Sequence, residues 1–149
     1  MKPWVRIGEA AAPDGTSLVL QSRDGQFLLL AGGKPLMSSD QHGSEDALAT
    51  LACRRISHVA APCVLIGGLG MGYTLRAALD VLPAAATVVV AELVPAVVGW
   101  NRGPLGPLAG VAEVELVLGH EHGIAVDVIG DAGAVGGDEG VEFLAVVGR

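Results

Sequence analysis

This sequence contains little of what marks disulfide-rich, metal-binding or nucleic-acid-binding proteins. Its two cysteines, Cys53 and Cys63, have no close cysteine partner, so we expect free thiols and neither a metal nor a redox motif. Aromatic residues make up 3%, and no basic segment carries interleaved aromatics, which argues against nucleic acid as a partner. No apolar run approaches the roughly 18 residues of a membrane span. The first residues also lack the apolar core of a signal peptide, and we therefore expect a cytoplasmic protein without membrane contact.

The composition instead indicates one globular core. Hydrophobic residues make up 51% of the 149 residues and charged residues 17%, proportions typical of a folded chain rather than a disordered one. The net charge of −7 is unevenly distributed, because positions 1–110 carry eight basic and eight acidic residues, whereas 111–149 carry eight acidic residues and one arginine. The last quarter of the chain therefore differs in character from the rest.

The beginning of the chain predicts a small antiparallel β-module. Two apolar segments, Leu18–Gln21 and Gln26–Leu30, flank the dipeptide Asp24-Gly25. Asp-Gly is a strong hairpin signal because both residues tolerate a positive φ. A second turn, Gly32-Gly33, precedes Pro35–Met37, so we expect successive short strands in this part of the chain.

A helix is predicted over Ser44–Ile56. Ser44 is suited to cap its first turn, where Glu45 and Asp46 complement the helix dipole. Apolar residues recur at helical spacing along one face: Leu48, Leu51, Ala52 and Ile56.

The centre of the chain predicts a strand, a helix, a second strand and a second helix. Cys63–Ile66 is a continuous apolar run, as expected of a strand buried on both faces. An amphipathic helix over Tyr73–Leu82 follows, then a buried strand over Thr87–Ala91. Pro95 suits the first turn of a further helix, and the segment Arg102–Pro107, rich in glycine and proline, predicts a loop.

A glycine loop joins the first of these strands to its helix. A carboxylate, Glu92, stands at the tip of the next strand, 22 residues after Gly70. Glycines there permit positive φ and a close approach of a ligand to the backbone, while a carboxylate at the neighbouring strand tip can accept both hydroxyls of a ribose. The pattern predicts nucleotide binding; the alternative is a tight turn beside a surface glutamate. The candidate binding glycines are Gly67, Gly68, Gly70 and Gly72.

The last part of the chain predicts strands without helices. Val114–Leu118, Ala125–Ile129 and Phe143–Val147 have the composition of strands, and no convincing helix follows residue 110. We divide the chain into a β-hairpin module at 1–40 and a nucleoside-binding core at 41–149, of which 111–149 is divergent.

The segment Val64–Gly72, with Glu92 following, resembles the cofactor loop of spermidine synthases and their relatives in the class I methyltransferase superfamily. Leu36–Asp40 and the helix after it resemble the link between the N-terminal hairpins and the Rossmann core of those proteins. The resemblance covers residues 15–110 and implies an α/β fold with a Rossmann-like, mostly parallel sheet preceded by the antiparallel β-module. It also implies S-adenosylmethionine or decarboxylated S-adenosylmethionine as the small-molecule ligand, with Glu92 on its ribose.

The resemblance is incomplete at the residues that would grip a polyamine. True aminopropyltransferases have a loop aspartate at the position of Gly70, and a Tyr-His-Glu cluster where this chain has Ser44-Glu45-Asp46. We therefore expect a spermidine-synthase-like transferase that does not make spermidine from putrescine.

The resemblance weakens further after residue 110. Gly119-His120 falls where the family has an acid that contacts adenine, and Asp131 falls near the position of the catalytic base, but the spacing is too short for the helix between them. Asp131 is thus the single weak catalytic candidate. His120 and His122 flank Glu121 without a third ligand, so we expect no metal site.

Two further interpretations stay open beside a transferase. A non-catalytic nucleoside-binding or interaction protein would keep the glycine loop and lack the polyamine site. A nicotinamide dehydrogenase would share the ribose carboxylate, but its G-x-G-x-x-G spacing is absent here. Whether the chain forms a homodimer is also left open.

Overall fold

The computed structural model describes residues 1–110, 125–129 and 143–147. These residues form a mixed α/β fold with two four-stranded sheets, ordered β1-β2-β3-β4 and β7-β6-β5-β8. The elements are β1 (Val5–Ala11), β2 (Ser17–Arg23), β3 (Gln26–Ala31), β4 (Lys34–Ser38), α1 (Gly43–Cys53), β5 (Cys63–Gly67), α2 (Tyr73–Val81), β6 (Thr87–Glu92), α3 (Pro95–Arg102), α4 (Gly106–Ala109), β7 (Ala125–Ile129) and β8 (Phe143–Val147).

The first sheet confirms the predicted antiparallel module. Its strands pair in chain order. The turn between β2 and β3 is Asp24-Gly25, with φ of 49° and 84°, and the turn between β3 and β4 is Gly32-Gly33, with φ of 56° and 79°. Positive φ at both central residues is the geometry whose twist matches that of a β-hairpin. These two turns thus set which residues of β2, β3 and β4 pair.

The second sheet is built on the predicted parallel pair. β5 and β6 run parallel from Cys63 opposite Thr87 to Gly67 opposite Ala91, and β8 adds parallel to β5. β7, by contrast, runs antiparallel to β6, so three of the four described strands of this sheet share one direction. The described strands therefore give a mixed sheet around a parallel strand–loop–helix–strand unit.

Helix α1 differs from its prediction at both ends. It begins at Gly43 after His42, and no side chain caps it; the Ser44 hydroxyl instead donates to Glu45 Oε2 at 2.6 Å. Glu45 and Asp46 do lie in its first turn, as predicted. The helix ends at Cys53, three residues before Ile56.

The buried stripe of α1 also differs from the predicted face. It follows Ala49 and Cys53, four residues apart. Leu51 lies two residues from each of them, about 200° around the helix, and is 67% exposed. Leu48 and Ala52 do pack against the core, and Ile56, just beyond the helix end, is buried in it, as predicted.

Two other predictions in the centre of the chain are wrong in part. Leu65 of β5 remains 36% exposed, so this strand is not buried on both faces; its buried face carries Val64 and Ile66. The segment predicted as a loop contains the first two residues of α4, Gly106 and Pro107, because proline is tolerated in the first turn of a helix.

One hydrophobic cluster joins the first sheet to the second. It includes Leu20 and Leu29 from β2 and β3, and Ile66 and Val90 from β5 and β6. β1 packs on α3 through Gly8, where an added Cβ would lie 2.5 Å from Trp100 Nε1. The first sheet is thereby fixed over the end of the second sheet that carries the glycine loop. Within the described ranges, every helix falls short of the length and apolar character that crossing a membrane would take.

Candidate functional site

The glycine loop spans the end of β5 and the start of α2. Gly68, Gly70 and Gly72 all have positive φ, of 89°, 55° and 83°, a region that costs other residues about 1–2 kcal/mol. Gly72 is the N-cap residue of α2. The alternating glycines thus supply the left-handed residues that turn the chain sharply from the strand into the helix.

The segment β6–α3 holds this loop in place. The Gly68 N–H donates to the Ala91 carbonyl at 2.7 Å. The next amide, that of Leu69, donates to Glu92 Oε2 at 2.8 Å. The carbonyl of Gly70 then accepts a hydrogen bond from Asn101 Nδ2 at 2.7 Å. Three consecutive residues of the loop are therefore fixed by partners more than twenty positions away in the sequence.

Glu92 is buried, with 8% of its surface exposed, and each carboxylate oxygen accepts a backbone hydrogen bond. Oε2 accepts from Leu69 and Oε1 accepts from the Val94 N–H at 2.9 Å. Hydrogen bonds to a charged acceptor offset the cost of burying it. Glu92 therefore joins the glycine loop to the start of α3, a structural task that the sequence pattern does not predict.

A cavity of about 170 Å³ lies between the glycine loop and the first sheet. Gly67, Gly68, Gly70 and Glu92 line it, so the structure brings these predicted site residues together; Gly72 lies off the cavity. The other lining residues are mostly apolar: Leu18, Leu29, Leu36, Met37, Glu45, Leu69, Thr74 and Val97.

The charge of the cavity wall is negative. Glu45 and Glu92 are its ionisable groups, and none of the described lining residues is basic. Phosphates are commonly bound by basic side chains as well as by backbone amides. The described wall therefore suits a neutral or cationic ligand better than a nucleotide phosphate.

Met37 fills the space beside Gly70 in the loop. A Cβ added at Gly70 would lie 2.7 Å from both Cε and Sδ of Met37. Such a contact is too short for a real side chain unless Met37 moves. Gly70 and Met37 are thus complementary, since the thioether end of Met37 occupies the space that an aspartate side chain would need.

Asn101 is a site residue that the sequence pattern did not single out. It is 1% exposed, and its Nδ2 donates to the carbonyls of Gly70 and Val97, at 2.7 and 2.9 Å. The available signal was its position: Val94, Val97, Val98 and Asn101 follow helical spacing, which makes Asn101 a polar residue on an apolar stripe. Such a residue must find buried partners.

A histidine and a tyrosine stack beside the cluster Ser44-Glu45-Asp46. The rings of His42 and Tyr73 are 3.8 Å apart and nearly parallel, and His42 Nδ1 lies 2.8 Å from Asp46 Oδ2. Burial first, and then the nearby carboxylates, raise the pKa of Tyr73, so its hydroxyl stays protonated and donates to the Ser39 carbonyl at 3.3 Å. This contact ties the link before α1 to the start of α2.

The catalytic candidate Asp131 and the pair His120 and His122 lie outside the described residues. The strand before Asp131 is described: β7 is antiparallel to β6, so Ile129 pairs with Val88, at the opposite end of β6 from Glu92. Among the residues that the structure does describe, no group of three or more histidine, cysteine or acidic side chains could hold a metal ion.

Comparison with protein-family models and with curated proteins finds no match to this chain. The residues of this cavity and the resemblance of its loop are therefore what point to a function.

Proposed function

We propose that this protein is a spermidine-synthase-like transferase that binds S-adenosylmethionine or a related adenosyl nucleoside, and that it is not a true spermidine synthase. One observation carries the proposal: the positive-φ glycine loop and Glu92 face the same cavity. In Rossmann-like sites the loop approaches the 5′ side of the nucleoside and the strand-end carboxylate accepts its ribose hydroxyls. The proposal includes a complete Rossmann-like core and a cytoplasmic protein.

The charge of the wall favours a nucleoside over a dinucleotide. A pyrophosphate beside Glu45 and Glu92 would meet two carboxylates and no described basic side chain. A sulfonium or ammonium group carries the opposite charge and would be attracted to the same wall. S-Adenosylmethionine and its decarboxylated form both carry a sulfonium, which supports them over NAD.

The size of the cavity requires one wall to move. Its volume of about 170 Å³ lies below the roughly 300–1,000 Å³ usual for ligand sites. Met37 is the best candidate to move, because methionine is flexible and its thioether end is what fills the space over Gly70. No loop aspartate is present at this position to hold an aminopropyl group. This supports S-adenosylmethionine, rather than its decarboxylated form, as the donor.

The transfer step asks little of the protein beyond orientation and one proton acceptor. A nucleophile attacks the carbon bonded to the sulfonium sulfur; the new bond forms as the carbon–sulfur bond breaks, and its electron pair stays on sulfur. An amine nucleophile also loses a proton, which a carboxylate can accept. Both oxygens of Glu92 already accept backbone hydrogen bonds, which favours Glu45 for this role.

Calorimetric titration tests the ligand. We expect S-adenosylmethionine, its decarboxylated form or methylthioadenosine to bind, and NAD not to bind. Tight binding of NAD alone, or no binding of any of the four compounds, contradicts the proposal.

Incubation with decarboxylated S-adenosylmethionine and putrescine should give no spermidine; robust turnover would show that a true aminopropyltransferase site is present after all.

A non-catalytic nucleoside-binding protein is the second candidate, favoured by the loss of the loop aspartate at Gly70. Methyl transfer from S-adenosylmethionine to a panel of small amines separates the two. A transferase should lose far more turnover than ligand affinity in Glu45→Gln, and Asp80→Asn, which changes an acid away from the cavity, should leave both unchanged. Binding without transfer to any acceptor favours the second candidate.

A further inference from the structure

The side-chain amide of Asn101 has a fixed orientation. Its nitrogen lies 2.7 Å from the carbonyl oxygen of Gly70 and 2.9 Å from that of Val97. Both neighbours are acceptors, so the NH₂ group must face them; a flipped amide would bring oxygen against oxygen. The amide oxygen, Oδ1, therefore points elsewhere, and it is buried without a hydrogen-bond partner among the described residues.

This contact controls the direction of one peptide group in the loop. The peptide bond after Gly70 is planar, and no peptide in the described chain is cis. In a trans peptide the N–H points opposite to the carbonyl. When Asn101 holds the Gly70 carbonyl towards α3, it also directs the Met71 N–H away from α3. Gly70 is a wall residue of the cavity, so the wall keeps a defined backbone shape before any ligand arrives.

The unpartnered oxygen indicates that stability alone does not explain this residue. A buried acceptor without a partner is destabilising, and an apolar residue of similar shape would avoid that cost. Asn101 is also almost fully buried, on an apolar stripe where leucine would suit the packing. A buried polar group that is kept despite such a cost is characteristic of functional sites.

We propose that Asn101 is a positioning residue for nucleoside binding: it preorganises the glycine loop by holding the Gly70 carbonyl. The inference rests on the proposed function. It gives α3 a role in the binding site that is separate from those of the glycine loop and Glu92. Without Asn101 the ligand would have to order the loop when it binds, and part of its affinity would be lost to that ordering.

The first test is Asn101→Leu, a substitution of similar size. We expect a melting temperature close to that of the parent, because two hydrogen bonds are lost but the unpartnered oxygen is removed as well. Hydrogen exchange of the Gly70–Gly72 amides, measured without ligand, should become faster. The affinity for S-adenosylmethionine should fall roughly 3- to 20-fold, as the loss of one or two hydrogen bonds implies.

The second test, Asn101→Asp, uses a readout that a merely structural role would not move. Burial against two carbonyl oxygens disfavours the carboxylate, and only the neutral acid can donate to Gly70. The ratio of variant to parent affinity should therefore rise as the pH falls from about 8 to about 5, through the raised pKa of the new side chain. An Asn101→Leu protein has no titrating group there, and its ratio should stay flat over the same range.

Gly99→Ala is the control on the same helix. Gly99 is exposed, and an added Cβ would meet nothing within 4 Å. This variant changes the stability of α3 without touching the loop, so both loop exchange and affinity should match the parent.

The outcomes separate the two proposals. Unchanged loop exchange and unchanged affinity in Asn101→Leu overturn the positioning role, as does an affinity loss with no change in loop exchange. If the parent binds none of the adenosyl compounds, the proposed function fails; the exchange comparison, which needs no ligand, then decides whether Asn101 holds the loop.

Discussion

The hairpin turns of the first sheet and the glycine loop of the second use the same left-handed backbone conformation under different constraints. Gly25 and Gly33 have φ of 84° and 79°, and an added Cβ would meet nothing within 4 Å at either. Gly70 has a φ of 55°, and an added Cβ would meet Met37 at 2.7 Å. In the turns glycine only relieves backbone strain, whereas at Gly70 it also leaves room for a neighbour.

The two regions also differ in what holds them. Each hairpin turn connects strands that pair directly on either side of it, so its support is local in sequence. The glycine loop is held by the carbonyl of Ala91, the carboxylate of Glu92 and the amide of Asn101. Its shape therefore depends on residues that the chain supplies only after a helix and a further strand. Three kinds of substitution test this difference: one that adds only backbone strain, one that also adds a steric contact, and one that removes a hydrogen-bond partner distant in sequence.

The largest effect is expected for Gly70→Val. The variant places a β-branched side chain at positive φ and also displaces the flexible thioether end of Met37, which adds a smaller cost; it should lower the free energy of unfolding by about 2–4 kcal/mol. Binding of S-adenosylmethionine should be lost as well. Thermal melts and calorimetric titration measure the two effects.

Gly33→Val is the matched control for strain alone. Its side chain would project into open space, so only the cost of the conformation, about 1–2 kcal/mol, should appear, and ligand binding should persist. If both variants lose the same stability, the contact with Met37 has no energetic weight and the difference between the two regions disappears.

Glu92→Ala tests the remote support. It leaves the amides of Leu69 and Val94 without their acceptors in a buried place, and we expect a loss of about 2–4 kcal/mol in the free energy of unfolding. Adenosyl ligand binding should weaken by about 1.5–3 kcal/mol if the carboxylate also meets the ribose. Glu92→Gln keeps one acceptor oxygen and should lose less stability. Equal affinity in the parent and the alanine variant would remove the ribose assignment.

At the tip of a strand, a carboxylate that waits for a ligand should contribute little to folding. The hydrogen bonds to Leu69 and Val94 give Glu92 a part in the fold as well. Sequence spacing can place an acid at a strand end, but it does not tell whether the acid faces a ligand, the backbone of the loop, or both.

Short sequence patterns predicted those parts of the fold that residues close together in the sequence determine. Asp24-Gly25 gave the first hairpin, and the apolar runs from Cys63 and Thr87 gave the parallel pair. The prediction failed at Ser44, which suits a cap but lies inside a helix that begins one residue earlier. Ala125–Ile129 and Phe143–Val147 were predicted as strands with the bounds that β7 and β8 have, but the antiparallel direction of β7 depends on how the chain returns to the sheet rather than on its composition.

The sequence predicted the glycines and the carboxylate of the candidate site, but not the neighbouring residues that contact the loop. The glycines and Glu92 follow from spacing, and the cavity does contain most of them. Met37 and Asn101 reach the loop from β4 and from α3, and no short motif records such a contact. These two tertiary neighbours are what distinguish this loop from a simple turn.

Gly8→Ala tests a glycine that needs room without a positive φ. The added methyl would overlap the indole of Trp100 and should cost about 1–3 kcal/mol by overpacking. Because the contact joins β1 to α3, the loss should be smaller in a background of Trp100→Leu. A double-mutant cycle by chemical denaturation measures this coupling, and purely additive losses would show that the two residues do not meet.

The smallest effect is expected for Gly43→Ala, which adds neither strain nor contact. Gly43 is the first residue of α1, its φ lies outside the left-handed region, and an added Cβ would meet nothing within 4 Å. Alanine restricts the unfolded chain more than glycine does, so the variant should be unchanged or more stable by up to about 1 kcal/mol. Thermal melts beside Gly33→Val give the comparison, since both side chains enter open space and only the second meets a left-handed backbone. A loss of stability in Gly43→Ala would mean that the start of α1 is more closely packed than its exposure indicates. Glycine would then be needed there to leave room for a neighbouring side chain, as it is at Gly8 and Gly70.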